Sequence, residues 1–518
     1  MSPIARQPEA AAHDRFDVIV VGGGIYGVTL TLEATRLGLK PLLLEKDDFG
    51  AAVSGNSLRI VHGGFRYLQN LQLARLRESV VERRWHLTAF PGLVEPLRCL
   101  MPLYGEGLRR PSAFHAAIMA NRLLTAGGNR GLSPERRLPA GGVLGPPAVV
   151  ERFPGVDTHG LRGGGVWYDA VMLSSERVLI EALRRAVDAG ATAVNYIEAV
   201  GLTQDGGAVT GVEAVDRQSG EAWRLHAPVV INAGGPWCRR IASAFDRDHP
   251  PLYRKSLAFN VLLDIEPISP DAVAVEPRRR EGRTYFVVPW KGRAFVGTHH
   301  MTYEGEPEDS QPSEAAIDAM LEALREALPD AGIDRARVRR VYPGMLPARA
   351  PGAEDMAHHP VVLDHARVGG PRGLISVSGV KWTTARAVAR RVLAQALPDT
   401  RGRTPRPLAD GLAMPASLHH AERMLDKPRF ADVVGTLVEQ ESVVHLDDLV
   451  LRRMDGLYDS DDVVSVATMG ADAMGLSGEA RAVAFDRLAD ALAERLDPAA
   501  EAVRRAAPEP QPARTGEA

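Results

Sequence analysis

Apolar and polar positions follow two different rhythms along most of this chain, up to about residue 390. Short apolar runs of strand length, such as Val18–Val21, alternate with longer segments in which apolar residues recur every three or four positions. The second rhythm predicts helices over residues 174–190 and 313–328, because the apolar residues of each then share one face. Ser174 or Ser175 can cap the first of these helices. Strands that alternate with helices in this way predict an α/β fold.

Three later segments add detail to this pattern. Residues 229–237, VVINAGGPW, predict a buried strand that ends in a glycine turn, and residues 373–393 predict a strand, a glycine turn and a helix. Residues 284–298 predict an antiparallel hairpin. Beyond the stretch 400–415, which is rich in proline and arginine, the pattern is helical without a glycine motif. This part of the chain therefore predicts a small accessory domain.

The opening segment, residues 16–46, has the form of a dinucleotide-binding unit. After the first apolar run come Gly22, Gly24 and Gly27 in the spacing GxGxxG, then an amphipathic helix, a second apolar run and Glu45. The first glycine permits a tight turn, the second leaves room for a pyrophosphate, and the third lets the helix pack closely on the strand. A pyrophosphate then lies at the positive end of the helix, and the carboxylate can accept hydrogen bonds from a ribose diol. The complete order of parts predicts a dinucleotide site.

Composition narrows the class of protein. The 518 residues, 45% hydrophobic and 25% charged, are typical of a globular chain, and the net charge of -3 argues against nucleic acid as the partner. The two cysteines, Cys99 and Cys238, form no CxxC pair, which argues against a disulfide framework and against a zinc or iron–sulfur site and fits a reducing compartment. The first residues hold no apolar signal-peptide core, and no stretch is long and apolar enough to span a membrane. We therefore expect a cytoplasmic protein.

Glycine turns are predicted after three strands, at Gly22, Gly234 and Gly379. Distant segments that converge on one ligand suit FAD, which is extended and anchored at both ends, better than NAD. At this point the chain resembles the FAD-dependent glycerol-3-phosphate dehydrogenases, within the wider D-amino-acid-oxidase-like flavoproteins. The words that carry the resemblance lie in the family's order between about residues 16 and 455: DVIVVGGGIYG, LLLEKDDF, IVHGGFRYL, WYDAVMLSSERVL, INAGGPW, YFVVPWKGRAFVGT, GLISVSGVKWTTAR and ESVVHLDDLVLRR.

The resemblance implies an α/β architecture with FAD as the cofactor. An FAD-binding Rossmann-like domain would be interleaved with an antiparallel-sheet substrate domain and followed by a C-terminal helical domain. Both ends of the chain are expected to be disordered. The expected bounds are 1–15 for the disordered N-terminus, 16–395 for the FAD-dependent oxidoreductase region (16–90, 150–240 and 350–395 for FAD, 91–149 and 241–349 for the substrate or cap), 396–416 for a linker, 417–500 for the helical domain and 501–518 for the disordered tail.

The resemblance also assigns residues to the cofactor. The first glycine turn and Glu45 would hold the ADP half of FAD, and the other segments would lie along the pyrophosphate and the flavin. Val380 replaces the second glycine of the family's GGKLTT segment. The expected FAD contacts are Gly22, Gly24, Ile25, Tyr26, Gly27, Glu45, Lys46, Ser57, His62, Gly63, Gly64, Ala233, Gly234, Gly379, Lys381, Trp382 and Thr383.

Flavin chemistry explains which other groups are wanted. Flavin oxidises a C–OH carbon by accepting hydride at N5, so a nearby base must take the hydroxyl proton. A cation stabilises the charge of the reduced ring, and Lys381 is the candidate for this role or for orienting the substrate oxygen. Arg66 and Tyr67 match residues beside the family's substrate, and a planar, always charged arginine suits a phosphate or carboxylate. We expect dehydrogenation of a hydroxyl on a polyol or polyol-phosphate-like substrate.

Three positions depart from the family's pattern. Asn260 stands where the family has a histidine that is a candidate base, and Leu346 and Leu363 stand where it has arginines. An apolar leucine cannot replace a bidentate phosphate contact, so we expect an altered substrate with a modified or absent phosphate. Arg349, three positions after Leu346, is the candidate for partial compensation.

Without the family's histidine, another group must take the proton. His299 and His300 stand where the family has GTTD, and His62 lies in the word IVHGG. We favour His300, because its change coincides with the losses elsewhere in the pocket; covalent attachment to the flavin is a second role for His62. For each candidate the alternative is a structural role: the histidines would lie in turns, the lysine would cap a helix and the arginine would form a structural ion pair. The candidate catalytic residues are Lys381, His300, Arg66 and Asn260, and the candidate substrate contacts are Arg66, Tyr67, Leu346 and Arg349.

Residues 85–130 mix arginines with large apolar residues. Such a segment can lie on a lipid surface, and the alternative is a pair of surface helices packed on the main domain. The resemblance implies a small-molecule substrate, an electron acceptor that is a quinone, oxygen or a carrier protein, and contact with the inner face of a membrane as the alternative to a wholly cytoplasmic protein. Two further functions stay open: an amine or amino-acid oxidase of the same fold, and a flavin-binding sensor or partner without turnover.

Overall fold

The computed structural model describes residues 2–105, 107, 110–277, 283–408, 427–454 and 460–508. Its strands form sheets of six, three and nine strands. The strands are β1 Val18–Val21, β2 Pro41–Leu44, β3 Ile60–Val61, β4 Val94–Leu103, β5 Gly142–Leu144, β6 Gly163–Met172, β7 Thr192–Val194, β8 Ile197–Asp205, β9 Ala208–Asp216, β10 Ala222–His226, β11 Val230–Asn232, β12 Lys255–Leu263, β13 Ala272–Val275, β14 Tyr285–Trp290, β15 Arg293–Thr302, β16 Val338–Pro347, β17 Val361–Asp364 and β18 Leu374–Ser378.

Helices cover the sheets and form the C-terminal part of the chain. Short 3₁₀ segments at Val53–Asn56 and Phe65–Asn70 and a π-helical turn at Leu449–Arg453 matter for the site. The α-helices are α1 Pro8–Ala12, α2 Ile25–Arg36, α3 Leu73–Ala89, α4 Pro111–Leu124, α5 Pro146–Arg152, α6 Ser175–Asp188, α7 Cys238–Phe245, α8 Glu314–Ala327, α9 Ala385–Ala396, α10 Lys427–Gln440, α11 Leu446–Asp448, α12 Ser460–Ala473, α13 Gly478–Ala493 and α14 Ala499–Ala506.

The six-stranded sheet has the order β17-β18-β11-β1-β2-β7, in which all pairs are parallel except the edge pair β17-β18. All four residues of β1 and of β2 are buried, because α2, α6 and α9 cover one face of the sheet in one apolar cluster and a second cluster, which includes Val212 and Phe245, covers the other face. The register pairs Val21 with Asn232 and with Leu44. The carboxyl ends of these strands therefore meet at one edge, where ligands of open α/β sheets bind.

The nine-stranded sheet has the order β16-β12-β15-β14-β13-β4-β6-β3, with β5 paired to β6. Its pairs are antiparallel except β13-β4. The apolar face of α8 packs against buried residues of this sheet, including Val261 and Val341. The expected architecture of a Rossmann-like domain, an antiparallel-sheet domain and C-terminal helices is confirmed.

Local predictions are also confirmed. The Ser174 side chain caps α6 by accepting a hydrogen bond from the Arg177 backbone N–H at 3.0 Å. Ser313 caps α8 in the same way. β14 and β15 form the hairpin predicted from residues 284–298. Capping residues and apolar spacing act within one turn of helix or strand, so the sequence alone specifies these elements.

The N-terminal residues differ from the expectation of disorder. Pro8–Ala12 form α1, and Ile4 is buried and donates its backbone N–H to the carbonyl of Gln440 at 2.9 Å. Contacts with the C-terminal helices, which no local pattern reveals, order this segment. The expected tail begins inside α14; residues 509–518 of it, and residues 409–416 of the expected linker, lie outside the described residues.

The C-terminal helices α10–α14 enclose an apolar cluster of their own, which includes Leu437, Phe485 and Leu492. They dock on the main body through buried ion pairs, such as Arg177 with Glu441 at 2.6 Å. Among the described helices none combines the length and the apolar character that crossing a bilayer requires.

Candidate active site

The carboxyl edge of the six-stranded sheet gathers the predicted cofactor turns. Gly22 follows β1, Glu45 follows β2, Ala233 follows β11 and Gly379 follows β18. The parallel register brings these four chain segments, which are up to 357 positions apart (379 minus 22), to one edge. The structure thus brings the predicted turns together.

The glycines of the first turn are required by close contacts. Gly22 has φ +109°, and a Cβ there would lie 2.6 Å from the carbonyl oxygen of Ala233. A Cβ at Gly27 would lie 1.7 Å from the carbonyl oxygen of Gly22. No other residue fits either place, because the backbone itself occupies the space. The turn at Gly22 therefore packs against both the first turn of α2 and Ala233, the residue that follows β11.

Glu45 closes the other side of this turn. Its carboxylate accepts hydrogen bonds from the backbone N–H of Gly23 at 2.5 Å and of Asp47 at 2.9 Å. Burial and the negative charge of Asp47 raise the pKa of Glu45 to about 7, although these hydrogen bonds and Lys46 act in the opposite direction. The carboxylate is therefore placed beside the glycine turn and titrates near neutral pH.

The turn at Gly379 is hydrogen-bonded to Tyr26 in the first turn of α2. The hydroxyl of Tyr26 donates to the carbonyl of Lys381 at 3.0 Å and accepts from the backbone N–H groups of Val380 and Lys381 at 3.1 and 3.2 Å. A Cβ at Gly379 would lie 2.0 Å from the ring of Tyr26. Glycine is needed here for the close approach of an aromatic ring.

The side chain of Lys381 meets the segment Phe65–Asn70. Its Nζ contacts the hydroxyl of Tyr67 and lies 4.6 Å from the centre of the Tyr67 ring. Burial, and to a smaller extent the positive charge of Arg66, lower the pKa of Lys381 to about 8. Arg66 is exposed. The side chains of Lys381, Arg66 and Tyr67 therefore lie close together beside the Gly379 turn.

His62 forms a pair with a carboxylate. Its Nδ1 lies 3.1 Å from Oδ2 of Asp169, a buried residue of β6. Asp169 also accepts from the backbone N–H of Gly63 at 2.6 Å and from Arg83 at 3.1 Å. Burial by itself would raise the pKa of Asp169, but His62, Arg83 and Gly63 lower it to about 2. An ionised Asp169 thus fixes the orientation of the imidazole and leaves its Nε2 for other partners.

One face of the nine-stranded sheet packs on the cofactor domain. The register of β12 with β15 and β16 sets Ala258 opposite both His300 and Gly344. A Cβ at Gly344 would lie 2.9 Å from the side chain of Val53, in the segment Val53–Asn56. The face that carries His300 therefore looks towards the segment that leads to His62 in the sequence.

Strand alternation sorts the remaining candidates between the two faces. Leu346 shares the face of His300, whose buried Nδ1 has no hydrogen-bond partner among the described residues. Burial and the positive charge of Arg283 lower the pKa of His300 to about 4. His299 lies on the opposite face, with its Nδ1 2.8 Å from the hydroxyl of Tyr285.

Asn260 uses its amide inside the protein. Its Nδ2 donates to the carbonyl of Asn56 at 2.9 Å, and its Oδ1 accepts from Thr298 at 2.8 Å. These bonds join β12 to β15 and to the segment Val53–Asn56. Arg349 is exposed beyond β16, and Leu363 packs into an apolar cluster with Tyr253 and Met345.

Three further predicted cofactor residues, Lys46, Ser57 and Gly64, have contacts or conformations of their own within the protein. The Lys46 Nζ lies 4.4 Å from the centre of the Trp237 ring, which follows the Gly234 turn. The Ser57 hydroxyl accepts from the backbone N–H of Arg59 at 3.3 Å. Gly64 has φ +80° and begins the segment that carries Arg66 and Tyr67.

Residues 17–395 match the model of a family described as DAO, FAD dependent oxidoreductase. The chain belongs to this family. A glycerol-3-phosphate dehydrogenase of Synechocystis sp. is 30% identical over 450 residues, which cover 83% of this chain and 78% of the relative. An aerobic glycerol-3-phosphate dehydrogenase of Staphylococcus saprophyticus is 28% identical over 381 residues, which cover 73% of this chain and 66% of the relative.

Among solved structures, the glycerol-3-phosphate dehydrogenase from Bacillus halodurans complexed with FAD has a similar fold. Its TM-score is 0.71 at 21% identity, over 95% of this chain and 97% of that one. The predicted resemblance and the predicted cofactor, FAD, are confirmed. As an FAD-dependent oxidoreductase, the protein acts on a small-molecule substrate and passes electrons to an acceptor such as oxygen or a quinone.

The residues present fit FAD. The glycine turns at Gly22 and Gly379 stand at the carboxyl edge of the parallel strands, where ligands of such sheets bind, and their glycines let the turns pack closely against the protein around them. Gly24 precedes helix α2 and has no side chain to cap it; the N–H of Ile25 donates to the hydroxyl of Ser54 at 2.9 Å, so a pyrophosphate would use the N–H groups that follow it in the first turn. The indole Nε1 of Trp382 is buried and has no partner among the described residues, so it can donate to a ligand.

Sequence reasoning about this flavoprotein missed Asp169. The residue lies in the word WYDAVMLSSERVL, whose strand β6 is otherwise almost wholly apolar and buried. A carboxylate in a buried strand must be paired, so its isolation in an apolar run was the available signal. The partner, His62, lies 107 residues earlier and only the sheet pairing of β3 with β6 brings the two together.

Proposed function

We propose that this flavoprotein oxidises the hydroxyl of a polyol phosphate, with glycerol 3-phosphate or a close relative as the substrate. The observation that carries the proposal is the meeting of Lys381, Tyr67 and Arg66 beside the Gly379 turn. When bound, FAD supplies the acceptor for the hydride that leaves the substrate carbon. The relatives' names support a glycerol phosphate as the substrate class.

We propose that His62 is the base that accepts the proton of the substrate hydroxyl. Asp169 fixes its Nδ1 as the protonated nitrogen, which leaves Nε2 as a lone-pair acceptor. The arrangement of an acid that orients an imidazole base recurs in enzymes that remove hydroxyl protons. His300, the candidate favoured from the sequence, has a pKa lowered to about 4 and is a weaker base.

We assign to Lys381 the role of stabilising the negative charge that develops during the reaction. It is half-buried, so its charge acts through less water than the charge of an exposed lysine. Since its pKa is about 8, the cationic form prevails at neutral pH. Tyr67, in contact with Nζ, holds the ammonium in place.

Arg66 and Arg283 are the cations that we assign to the substrate phosphate. Arg66 adjoins Lys381. The positive charge of Arg283 lowers the pKa of both His299 and His300; its Nη2 lies 3.7 Å from a carboxylate oxygen of Glu354, and its Nη1 is buried with no hydrogen-bond partner among the described residues. Leu346, on the same face as His300, supplies no charge. We therefore assign Arg283, rather than the exposed Arg349, the compensation for the apolar position.

We also propose peripheral contact with an anionic lipid surface around α4. Leu123 is 78% and Val81 43% exposed. Arg84 donates to the carbonyl of Gly127, just past α4, so the two exposed apolar residues lie on neighbouring segments with a cation between them. Sedimentation with phosphatidylglycerol vesicles tests this contact, and Leu123→Glu should abolish it while leaving the flavin spectrum unchanged.

The substrate proposal is tested by anaerobic bleaching of the bound flavin. The purified holoenzyme is mixed with glycerol 3-phosphate, other polyol phosphates, free polyols and amino acids in separate reactions. We expect rapid loss of yellow colour with one or more polyol phosphates and none with amino acids. Reduction by amino acids alone would establish an amino-acid oxidase, and no reduction by any of the panel would contradict the proposal.

A further inference from the structure

The C-terminal helices reach a buried carboxylate next to the cofactor turn. Asp48 lies three residues after Glu45 and is 1% exposed. Arg453 holds it with two hydrogen bonds, from Nη1 at 2.7 Å and from Nη2 at 2.9 Å, and Arg452 adds a third from Nε at 2.6 Å. Both arginines come from the π-helical turn Leu449–Arg453, 404 and 405 residues away.

The loop that contains Asp48 also touches the glycine turn on both sides. Before Asp48, the carboxylate of Glu45 accepts from the backbone N–H of Gly23. After it, the backbone N–H of Gly50 donates to the carbonyl of Gly23 at 3.1 Å. A Cβ at Gly23 would lie 2.8 Å from the ring of Phe49, which is buried. Asp48 is thus the midpoint of a loop whose two ends contact the turn at Gly23.

This midpoint cannot keep its place without the arginines. A buried carboxylate that loses its paired cations must protonate, draw in water or move towards solvent. Asn195 gives Asp48 one further hydrogen bond at 3.0 Å, but a neutral amide does not neutralise the charge. Movement of Asp48 would shift Glu45 and Gly50 together, since each is within three residues of it.

We propose that Arg452 and Arg453 are positioning residues for FAD. The C-terminal helical domain, through these two side chains, holds the loop of residues 45–50 in the form that receives the adenosine half of the cofactor. Docking of the domain and binding of FAD are then coupled, and each strengthens the other by the same factor. The segment ESVVHLDDLVLRR, residues 441–453, thus supports FAD binding through Asp48.

The test is a titration of the full-length protein, freed of flavin, with FAD. Flavin fluorescence gives the dissociation constant. We expect Arg453→Met to raise it by at least about tenfold, because the buried charge of Asp48 loses its bidentate partner. Arg453→Lys keeps the charge without the fork and should raise the constant by a smaller factor. This milder variant keeps the test open should Arg453→Met fail to fold.

The matched control is Arg152→Met. Arg152 holds the buried carboxylate of Asp271 with two hydrogen bonds, at 2.5 and 2.6 Å, and neither residue belongs to the C-terminal helices or to the loop of residues 45–50. Its loss should lower the melting temperature and leave the dissociation constant of FAD within about twofold of the wild-type value. Equal effects of the two methionine variants would show general destabilisation and overturn the proposal.

Hydrogen exchange supplies the reciprocal measurement. Addition of FAD to the flavin-free protein should slow exchange of the backbone amides of residues 446–453 in the wild type, and this protection should vanish in Arg453→Met. Unchanged exchange on FAD addition to the wild type would contradict the coupling. Since neither readout uses a substrate, failure of the substrate proposal and failure of this one are separate outcomes.

Discussion

The hydroxyl of Tyr26 donates a hydrogen bond to the carbonyl oxygen of Lys381 at 3.0 Å, across 355 positions of the chain. This bond joins the first turn of α2, where we expect the pyrophosphate of FAD to bind, to the turn that carries the candidate cation Lys381. The ring of Tyr26 fills the space in which Gly379 lacks a side chain. The cofactor turn and the candidate substrate site are therefore joined by this contact, so we expect small changes at it to affect both.

Gly379→Ala should weaken FAD binding. Its Cβ would lie 2.0 Å from the Tyr26 ring, so the ring or the turn must move, at a cost of about 1–3 kcal/mol. We expect the dissociation constant of FAD to rise by about tenfold or more. Gly142→Ala is the control, because a Cβ at Gly142 meets nothing within 4 Å. Equal FAD affinities of the two variants would contradict this account.

FAD binding to the flavin-free protein should strengthen as the pH rises through about 7. The pKa of Glu45 in the folded protein is raised to about 7, and the ribose diol prefers the ionised carboxylate, so binding releases a proton. The affinity should rise by up to about tenfold per pH unit below this pKa and level off above it. Calorimetric titration between pH 5.5 and about 8.5 measures the trend. Glu45→Gln should flatten it; a wild-type affinity independent of pH would refute it.

His62→Ala and His300→Ala should separate the two candidate bases. We expect His62→Ala to lower the rate of flavin reduction by about 10²–10⁴, the usual contribution of a general base. His300→Ala should change this rate by less than about tenfold, since a group with a pKa near 4 accepts a proton weakly. Stopped-flow absorbance of the flavin measures both. The opposite order of effects would return the role to His300.

The pH profile of kcat/KM should depend on Lys381. In the wild type kcat/KM for the substrate should fall as the pH rises through about 8, because the ammonium, which is charged below its pKa, becomes neutral above it. Lys381→Met should lower kcat/KM and remove this alkaline limb. Lys381→Arg should also lack the limb but keep more activity, since an arginine stays charged. Retention of the limb in Lys381→Met would assign it to another group.

Leu346→Arg should improve the use of glycerol 3-phosphate. The new guanidinium would lie on the face of His300 and would add a bidentate partner for the phosphate that we assign to Arg66 and Arg283. We expect KM for glycerol 3-phosphate to fall by about tenfold and KM for free glycerol to stay unchanged. Leu346→Met controls for the change of shape. No difference between the two variants in KM for the phosphate would place the phosphate elsewhere.

Local patterns in the sequence accounted for much of the fold and for the cofactor. The GxGxxG spacing, the capping serines of α6 and α8 and the turn of the β14-β15 hairpin all act between residues close in the chain. The dinucleotide unit could be predicted because part of its glycine spacing answers a local contact, as the 1.7 Å approach of a Cβ at Gly27 to the Gly22 carbonyl oxygen shows. The family resemblance then named FAD.

Only the tertiary structure decided which side chains meet. Asp169 reaches His62 through sheet pairing across 107 residues, and Asp48 reaches Arg453 across 405. Strand register decided which of the neighbours His299 and His300 lies on the face towards the segment Val53–Asn56. Such contacts depend on register and on domain docking, which many distant residues fix together. Glycine spacing specifies a ligand turn because it is local, whereas acid–base pairs and domain clamps are decided by packing over the whole chain.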